Sequence, residues 1–209
     1  MLDHIQNALD KAERYESKLT SEILNVSGFT SIKIRHFLNN ICTLPELKYL
    51  EIGILHGSTL TAAIYQNEGD FTGIDDFSEF NVSGNAKDLL MGNLEKFKMT
   101  PRVINNDCWS PETIALCPSN INVYFYDGDH VYDAQRQALN AYWEHLANEF
   151  LFFVDDWNWD ATRTGTLDSF QDKPVEILYQ KEIYTPGKTN GNADHWWNGF
   201  GIFCLKKKT

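Results

Sequence analysis

Glu51-Ile52-Gly53-Ile54-Leu55-His56-Gly57-Ser58-Thr59 is the stretch on which the fold turns. It follows directly from the apolar run Tyr49-Leu50-Glu51-Ile52 and leads into an amphipathic segment over 58–66. That order reads as strand, glycine turn, helix. Glycine at positions 53 and 57 lets a ligand come close to the backbone, and the start of the following helix offers N–H groups with no partner inside the helix. The spacing is not GxGxxG, which suits a dinucleotide pyrophosphate. A purely structural glycine turn would present the same residues.

Outward from this turn, short apolar runs alternate with amphipathic segments. The runs are Phe71-Thr72-Gly73-Ile74, Arg102-Val103-Ile104, Val123-Tyr124-Phe125-Tyr126 and Phe150-Leu151-Phe152-Phe153-Val154, with helical patterns over 86–97 and 132–147 among the segments between them. Strands alternating with helices predict right-handed βαβ units in one doubly wound, mainly parallel sheet of Rossmann-like α/β type. Beyond Asp160 a short helix over 167–171 and strands over 175–184 and 199–205 predict an antiparallel hairpin at one edge, for seven strands in all. Before the first strand the pattern is helical, with Leu2, Ile5, Leu9 and Ala12 on one face, Ile34, Phe37, Leu38 and Ile41 on another, and a break at Gly28. The expected organisation is therefore a helical extension over 1–45 and one α/β domain over 46–209.

A chain of 209 residues suffices for one sizeable core. No apolar run approaches the roughly 20 residues needed to span a bilayer. Residues 1–16 carry no basic region followed by an apolar stretch, so a cytoplasmic location and no membrane partner are expected. Cys42, Cys108, Cys117 and Cys204 are scattered, without CxxC or zinc spacing, and read as reduced structural thiols. A net charge of −11 argues against nucleic acid as partner, because phosphate binding needs a basic footprint.

Acidic residues recur where the strands end. Gly73-Ile74-Asp75-Asp76 places Asp75, with Asp76 in reserve, about 20 residues past the glycine turn, where a carboxylate accepts from ribose hydroxyls. A helix-capping Asp would sit there too. Asn106-Asp107-Cys108-Trp109 follows the third strand. Tyr126-Asp127-Gly128-Asp129-His130 and Val154-Asp155-Asp156-Trp157 end the fourth and fifth. Neighbouring strands lie about 4.8 Å apart, so Asp127, Asp155 and Asp156 are placed to converge. Two such charges ~4 Å apart repel by about 4 kcal/mol at an effective dielectric near 20, which a hard oxygen-seeking cation such as Mg²⁺ relieves. Acids that cap helices and never meet are the plain alternative.

Taken together, these segments make residues 47–205 resemble the class I S-adenosylmethionine (SAM)-dependent methyltransferases. The DGDH and VDDW segments bring the chain nearest to the macrocin-type sugar O-methyltransferases. The resemblance implies that Glu51, Gly53, Gly57 and Ser58 form the turn around the amino-acid end of SAM, that Asp75 and Asp76 serve the ribose, and that Asp107 reads the adenine, with Asp127 also at the cofactor. It further implies Mg²⁺ on Asp127, Asp155 and Asp156, and Asp129 or His130 as general base for a sugar or phenolic hydroxyl of a small-molecule acceptor. The chain departs from the subgroup by carrying His130 where a leucine-like residue is usual, and by its shorter length.

Several side chains remain open in sequence. Arg35, His36 and Arg163 read either as reaching the mouth of the site or as solvated helix charges. Of the late aromatics, Trp157 reads as a wall of the acceptor pocket, whereas Trp196 and Trp197 read as packing of the terminal hairpin. A metal-dependent hydroxylase or hydrolase on the same fold, or a nucleoside-binding protein without catalysis, would keep the same acids. The helical extension and the edge hairpin are both compatible with a homodimer.

Overall fold

A computed structural model describes residues 1–81, 84–186 and 191–208. Three helices come first: α1 (Leu2–Glu13), α2 (Ser21–Leu24) and α3 (Ile32–Ile41). The alternating part follows as β1 (Lys48–Ile52), α4 (Ser58–Ile64), β2 (Asp70–Ile74), α5 (Ala86–Lys96), β3 (Arg102–Ile104), α6 (Pro111–Leu116), β4 (Ile121–Tyr126), α7 (Tyr132–Tyr142) and β5 (Leu146–Asp155). It closes with α8 (Asp160–Ser169), β6 (Val175–Ile183) and β7 (Phe200–Lys207).

The seven strands form one sheet in the order β3-β2-β1-β4-β5-β7-β6. β1 to β5 pair in parallel, and β7 is antiparallel to both β5 and β6. The chain winds outward from β1 to β3, then restarts on the other side of β1 with β4. That reversal opens a crevice beyond the carboxyl ends of β1 and β4, the usual ligand position in open α/β sheets.

Alternation along the strands assigns the two faces. Tyr49, Val123, Phe125, Leu151 and Phe153 meet α1, α3, α4 and α5 in one core, while Leu50, Tyr124, Tyr126, Phe152 and Val154 meet α7 and its neighbours in the other. A strand covered on both sides must be apolar at nearly every position, which is why the central strands read as continuous runs.

Three expectations about the elements need correction. The helical pattern over 132–147 ends at Tyr142, and a 3₁₀ turn, Trp143–His145, leads straight into a ten-residue β5. Leu146 fits either periodicity, and its pairing with Ile121 decides for the strand. The helix expected over 167–171 instead spans Asp160–Ser169, because its buried face is Thr162, Gly165, Thr166 and Ser169, which carries no apolar signal. Arg35 and His36 are neither solvated nor at the mouth of the site. Arg35 Nη1 donates to Leu24 O at 2.7 Å, and His36 Nδ1 lies 2.7 Å from Ser17 Oγ. Among the described residues no helix is long and apolar enough to cross a membrane.

Candidate active site

The crevice is built from its floor upward. Gly53 follows β1 with φ +86°, a left-handed conformation that side-chain-bearing residues resist. A Cβ there would lie 2.0 Å from Asp127 O, so the two strand ends can lie side by side only with glycine at 53. Gly57 caps α4, and Ser58 opens it with only 6 % of its surface exposed. What covers Ser58 is the N-terminal region: a Cβ at Gly28 would meet Ser58 Oγ at 2.0 Å, and Ser27 Oγ lies 3.0 Å from His56 Nδ1. The residues before β1 therefore close over the glycine turn.

Glu51 is fully buried beneath this turn, its carboxylate held by Thr59 Oγ1 and, at 2.6 Å, by the Tyr49 hydroxyl. Burial pushes its pKa up to about 7. Asp75, at the end of β2, accepts from Leu55 N at 2.8 Å and from Phe77 N at 2.7 Å, which ties the β2 end to the glycine turn. Asp76 is exposed and accepts from Ser78 N and Oγ. Asp107 is exposed beyond β3 and accepts from Trp109 N at 2.9 Å. Asp75, Asp76 and Asp107 follow the ends of β2 and β3, on the side of β1 away from β4, whereas Glu51 lies wholly below the surface.

The other side belongs to β4 and β5. Asp127 and Asp155 are neighbours at the ends of β4 and β5. Burial raises both pKa values well above the ordinary carboxylate value, and the charge of Asp156 raises them further. One Asp155 oxygen, Oδ1, is buried with no partner. Asp156 takes a left-handed backbone, φ +54°, and is 5 % exposed. Its Oδ2 lies 3.0 Å from His130 Nε2, and its Oδ1 accepts from Asn198 Nδ2 at 2.7 Å. The three aspartates thus come together, but both oxygens of the third are engaged by protein donors. Among the described residues no group of three or more His, Cys, Asp or Glu side chains is spaced around a single metal position.

His130 is set by its surroundings. Gln135 Nε2 lies 3.5 Å from Nδ1 and donates to Asp129 O at 3.2 Å, so Nδ1 carries the lone pair and Nε2–H points at Asp156. The ring meets Trp159 edge-on at 4.9 Å. Burial lowers the His130 pKa, against the opposing pull of Asp156, Asp129 and Glu79, which keeps the ring neutral near pH 7. Asp129 is exposed, and its Oδ1 accepts from Val131 N at 3.1 Å.

Two sequence readings change here. Trp157 is no pocket wall: it is fully buried, packs on Phe203 at 5.4 Å and donates to Glu182 at 3.0 Å. Trp159, 37 % exposed, is the tryptophan beside His130. Arg163 braces the turn after β5 by donating to Trp157 O and Asn158 O at 2.9 and 2.8 Å. Trp196 does pack the terminal hairpin, against Phe37 and Phe200. Asn198 was not singled out in sequence, since an asparagine just before an antiparallel edge strand carries no positional signal.

Comparison with known proteins places this geometry. A family model described as a methyltransferase domain matches residues 50–157, more than half of the chain. None of the curated proteins shows significant sequence similarity to it. Among solved structures, the chain is similar to an O-methyltransferase from Bacillus cereus in complex with SAH (13% identity, TM-score 0.61, 98% of this chain and 91% of that one). It is similar also to the O-methyltransferase TomG from Streptomyces achromogenes, involved in tomaymycin synthesis and solved with SAM (14% identity, TM-score 0.59, 98% and 90%). A Pyrococcus horikoshii protein described as an RNA methyltransferase is alike to the same degree (12% identity, TM-score 0.59, 97% and 96%). At these identities the likeness is one of fold, and the match over residues 50–157 carries the conclusion: the chain belongs to the methyltransferase-domain family.

Proposed function

We propose that the protein transfers the methyl group of SAM to a hydroxyl of a small-molecule acceptor. The observation that carries this reading is the meeting, in one crevice, of the Gly53 turn and a His130–Asp156 pair at 3.0 Å. On this reading Gly53, Gly57 and Ser58 flank the amino-acid end of SAM, Asp75 and Asp76 accept from the ribose, and Asp107 reads the adenine. Glu51 holds the turn from below.

His130 is the general base. Its Nε2–H is committed to Asp156, and Nδ1 takes the acceptor proton while Asp156 stabilises the imidazolium that results. Asp129, exposed beside it, is the alternative base. When bound, SAM would supply the methyl group, its S–CH₃ bond breaking as the acceptor's O–CH₃ bond forms and SAH leaving, with positioning by the crevice supplying much of the acceleration.

Mg²⁺ remains part of the proposal. The buried Asp155 Oδ1 without a partner, and neighbouring carboxyls with raised pKa values, are what an oxygen-seeking cation relieves. Asp127 and Asp155 would hold it, and Asp156 would join only by releasing His130. Bound there, such a cation would supply acidification of the acceptor hydroxyl.

A small molecule is favoured over RNA as acceptor by charge. Beside burial, the charged side chains that act on Asp75, Asp127, Asp155 and His130 are other carboxylates, not lysine or arginine. A face of that sign repels a phosphate backbone. Calorimetric titration with SAM and SAH, each with Mg²⁺ and with chelator, tests the reading. Binding of either nucleoside establishes the cofactor, and tighter binding with Mg²⁺ supports the cation. No binding under any condition overturns the proposed function.

A further inference from the structure

Residues 191–199, which lead into β7, fold back on themselves, with Asn192 N donating to Trp197 O at 3.2 Å, and are held at an inner and an outer end. At the inner end Asn198 is 8 % exposed, and both polar atoms of its amide are used. Oδ1 accepts from Gly191 N at 2.9 Å, which turns Nδ2 onto Asp156 Oδ1 at 2.7 Å. Its carbonyl accepts from Asn158 N at 2.7 Å, and Gly199 O accepts from Trp157 N at 3.3 Å, so this end is stitched to the turn after β5. At the outer end Trp196 Nε1 donates to Glu13 Oε1 at 2.7 Å, while Lys33 Nζ donates to Glu13 Oε2 at 2.5 Å. Tyr15 OH adds a bond to Asp194 O at 3.1 Å. The N-terminal helices therefore grip one end of a segment whose other end holds the partner of His130.

We propose that residues 191–199 are a strap that sets the geometry of the base. Asn198 is a positioning residue for Asp156, and through Asp156 for His130, and Glu13 fastens the strap's outer end. A carboxylate on a left-handed residue has several ways to turn. With Asn198 on one oxygen, the other is fixed toward His130 Nε2, and this selects the tautomer that leaves Nδ1 without a proton. The catalytic meaning of the strap rests on the proposed role of His130; the positioning itself does not.

The test reads the imidazole directly. In ¹⁵N-labelled full-length protein with SAM added, the His130 Nε2–H signal, assigned by its loss in His130→Ala, reports the bond to Asp156. Asn198→Ala is expected to make that proton exchange with water about tenfold faster and to move its shift, with SAM affinity unchanged. Trp196→Phe keeps the aromatic packing, loses the bond to Glu13, and is expected to give a smaller change in the same direction. An unchanged His130 signal in Asn198→Ala overturns the proposal. Should that variant not fold, an unchanged signal in Trp196→Phe overturns it instead. Failure of the base reading looks different: His130→Ala would keep full turnover while the Asn198 effect on the signal persists.

Discussion

The two sides of the crevice are made in different ways. The β1–α4 turn is a backbone device: Gly53 exists so that main chain can pass main chain, and the surrounding side chains, Glu51 and Asp75, are spent on holding that turn. The β4–β5 side is a side-chain device, assembled from Asp127, His130, Asp155 and Asp156 and completed by Asn198 from a distant part of the chain. A backbone device tolerates almost no change of residue, while a side-chain device can lose one member and keep its fold. Substitutions on the first side should therefore cost stability, and those on the second should cost activity.

Gly53→Ala is the hardest blow to this contrast. The new Cβ would sit against Asp127 O in a left-handed conformation, and the neighbour is backbone that cannot turn away. We expect a loss of about 4 kcal/mol or more in urea unfolding, and no measurable SAM binding. A variant within 1 kcal/mol of the parent, on the order of an ordinary surface change, would show that the strand ends can part.

Glu51→Gln works in the opposite sense. The folded-state pKa of Glu51 is about 7, above its unfolded value, so folding favours the protonated form. Stability is whole below the ordinary carboxylate pKa, falls as pH rises toward 7, and levels off above it. The amide keeps partners for Thr59 and Tyr49 and removes the ionisation. It should make the protein more stable at pH 8 by up to about 3 kcal/mol, and leave pH 4 unfolding little changed. Equal gains at both pH values would show that packing, not charge, is responsible.

On the other side, His130→Ala should leave the unfolding midpoint nearly untouched and lower methyl transfer about 100-fold, the lower end of what a general base contributes. Single-turnover conversion of SAM to SAH with an accepted hydroxyl substrate measures it. Loss of turnover in Asp129→Asn with His130→Ala fully active would move the base to Asp129.

How much of this was legible in the chain follows the same division. The glycine turn, the five parallel strands and the terminal hairpin were readable because each is encoded locally, by an apolar run of strand length or by glycine where φ is positive. The acids of DGDH and VDDW were readable because a strand end has a fixed place in this topology. What escaped was set by contacts remote in sequence. Asn198 meets Asp156 across 42 positions, and Trp196 meets Glu13 across 183. Trp157 and Trp159 stand two residues apart and point to opposite fates, one into the core against Phe203 and one beside His130. The left-handed backbone at Asp156, just before the two tryptophans, is what no residue pattern announced.

The smallest effect separates a cation from a shared proton. Asp127 and Asp155 both have raised pKa values, so in the absence of a cation each contributes stability that is present at low pH and lost as pH climbs through the carboxylate range toward the raised value. Asp155→Asn withdraws one ionisation and leaves an amide beside Asp127. Without added metal it should be more stable than the parent at pH 8, with a flatter dependence on pH above the ordinary carboxylate range. With Mg²⁺ the order should reverse, because the parent gains from binding and the variant has lost a ligand. Thermal melting at pH 8 with Mg²⁺ and with chelator reads both arms. A parent whose melting temperature ignores Mg²⁺, beside a variant that is stabilised in either buffer, would leave the Asp127–Asp155 pair as a shared-proton bridge. Methyl transfer would then rest on His130 and Asp156 alone.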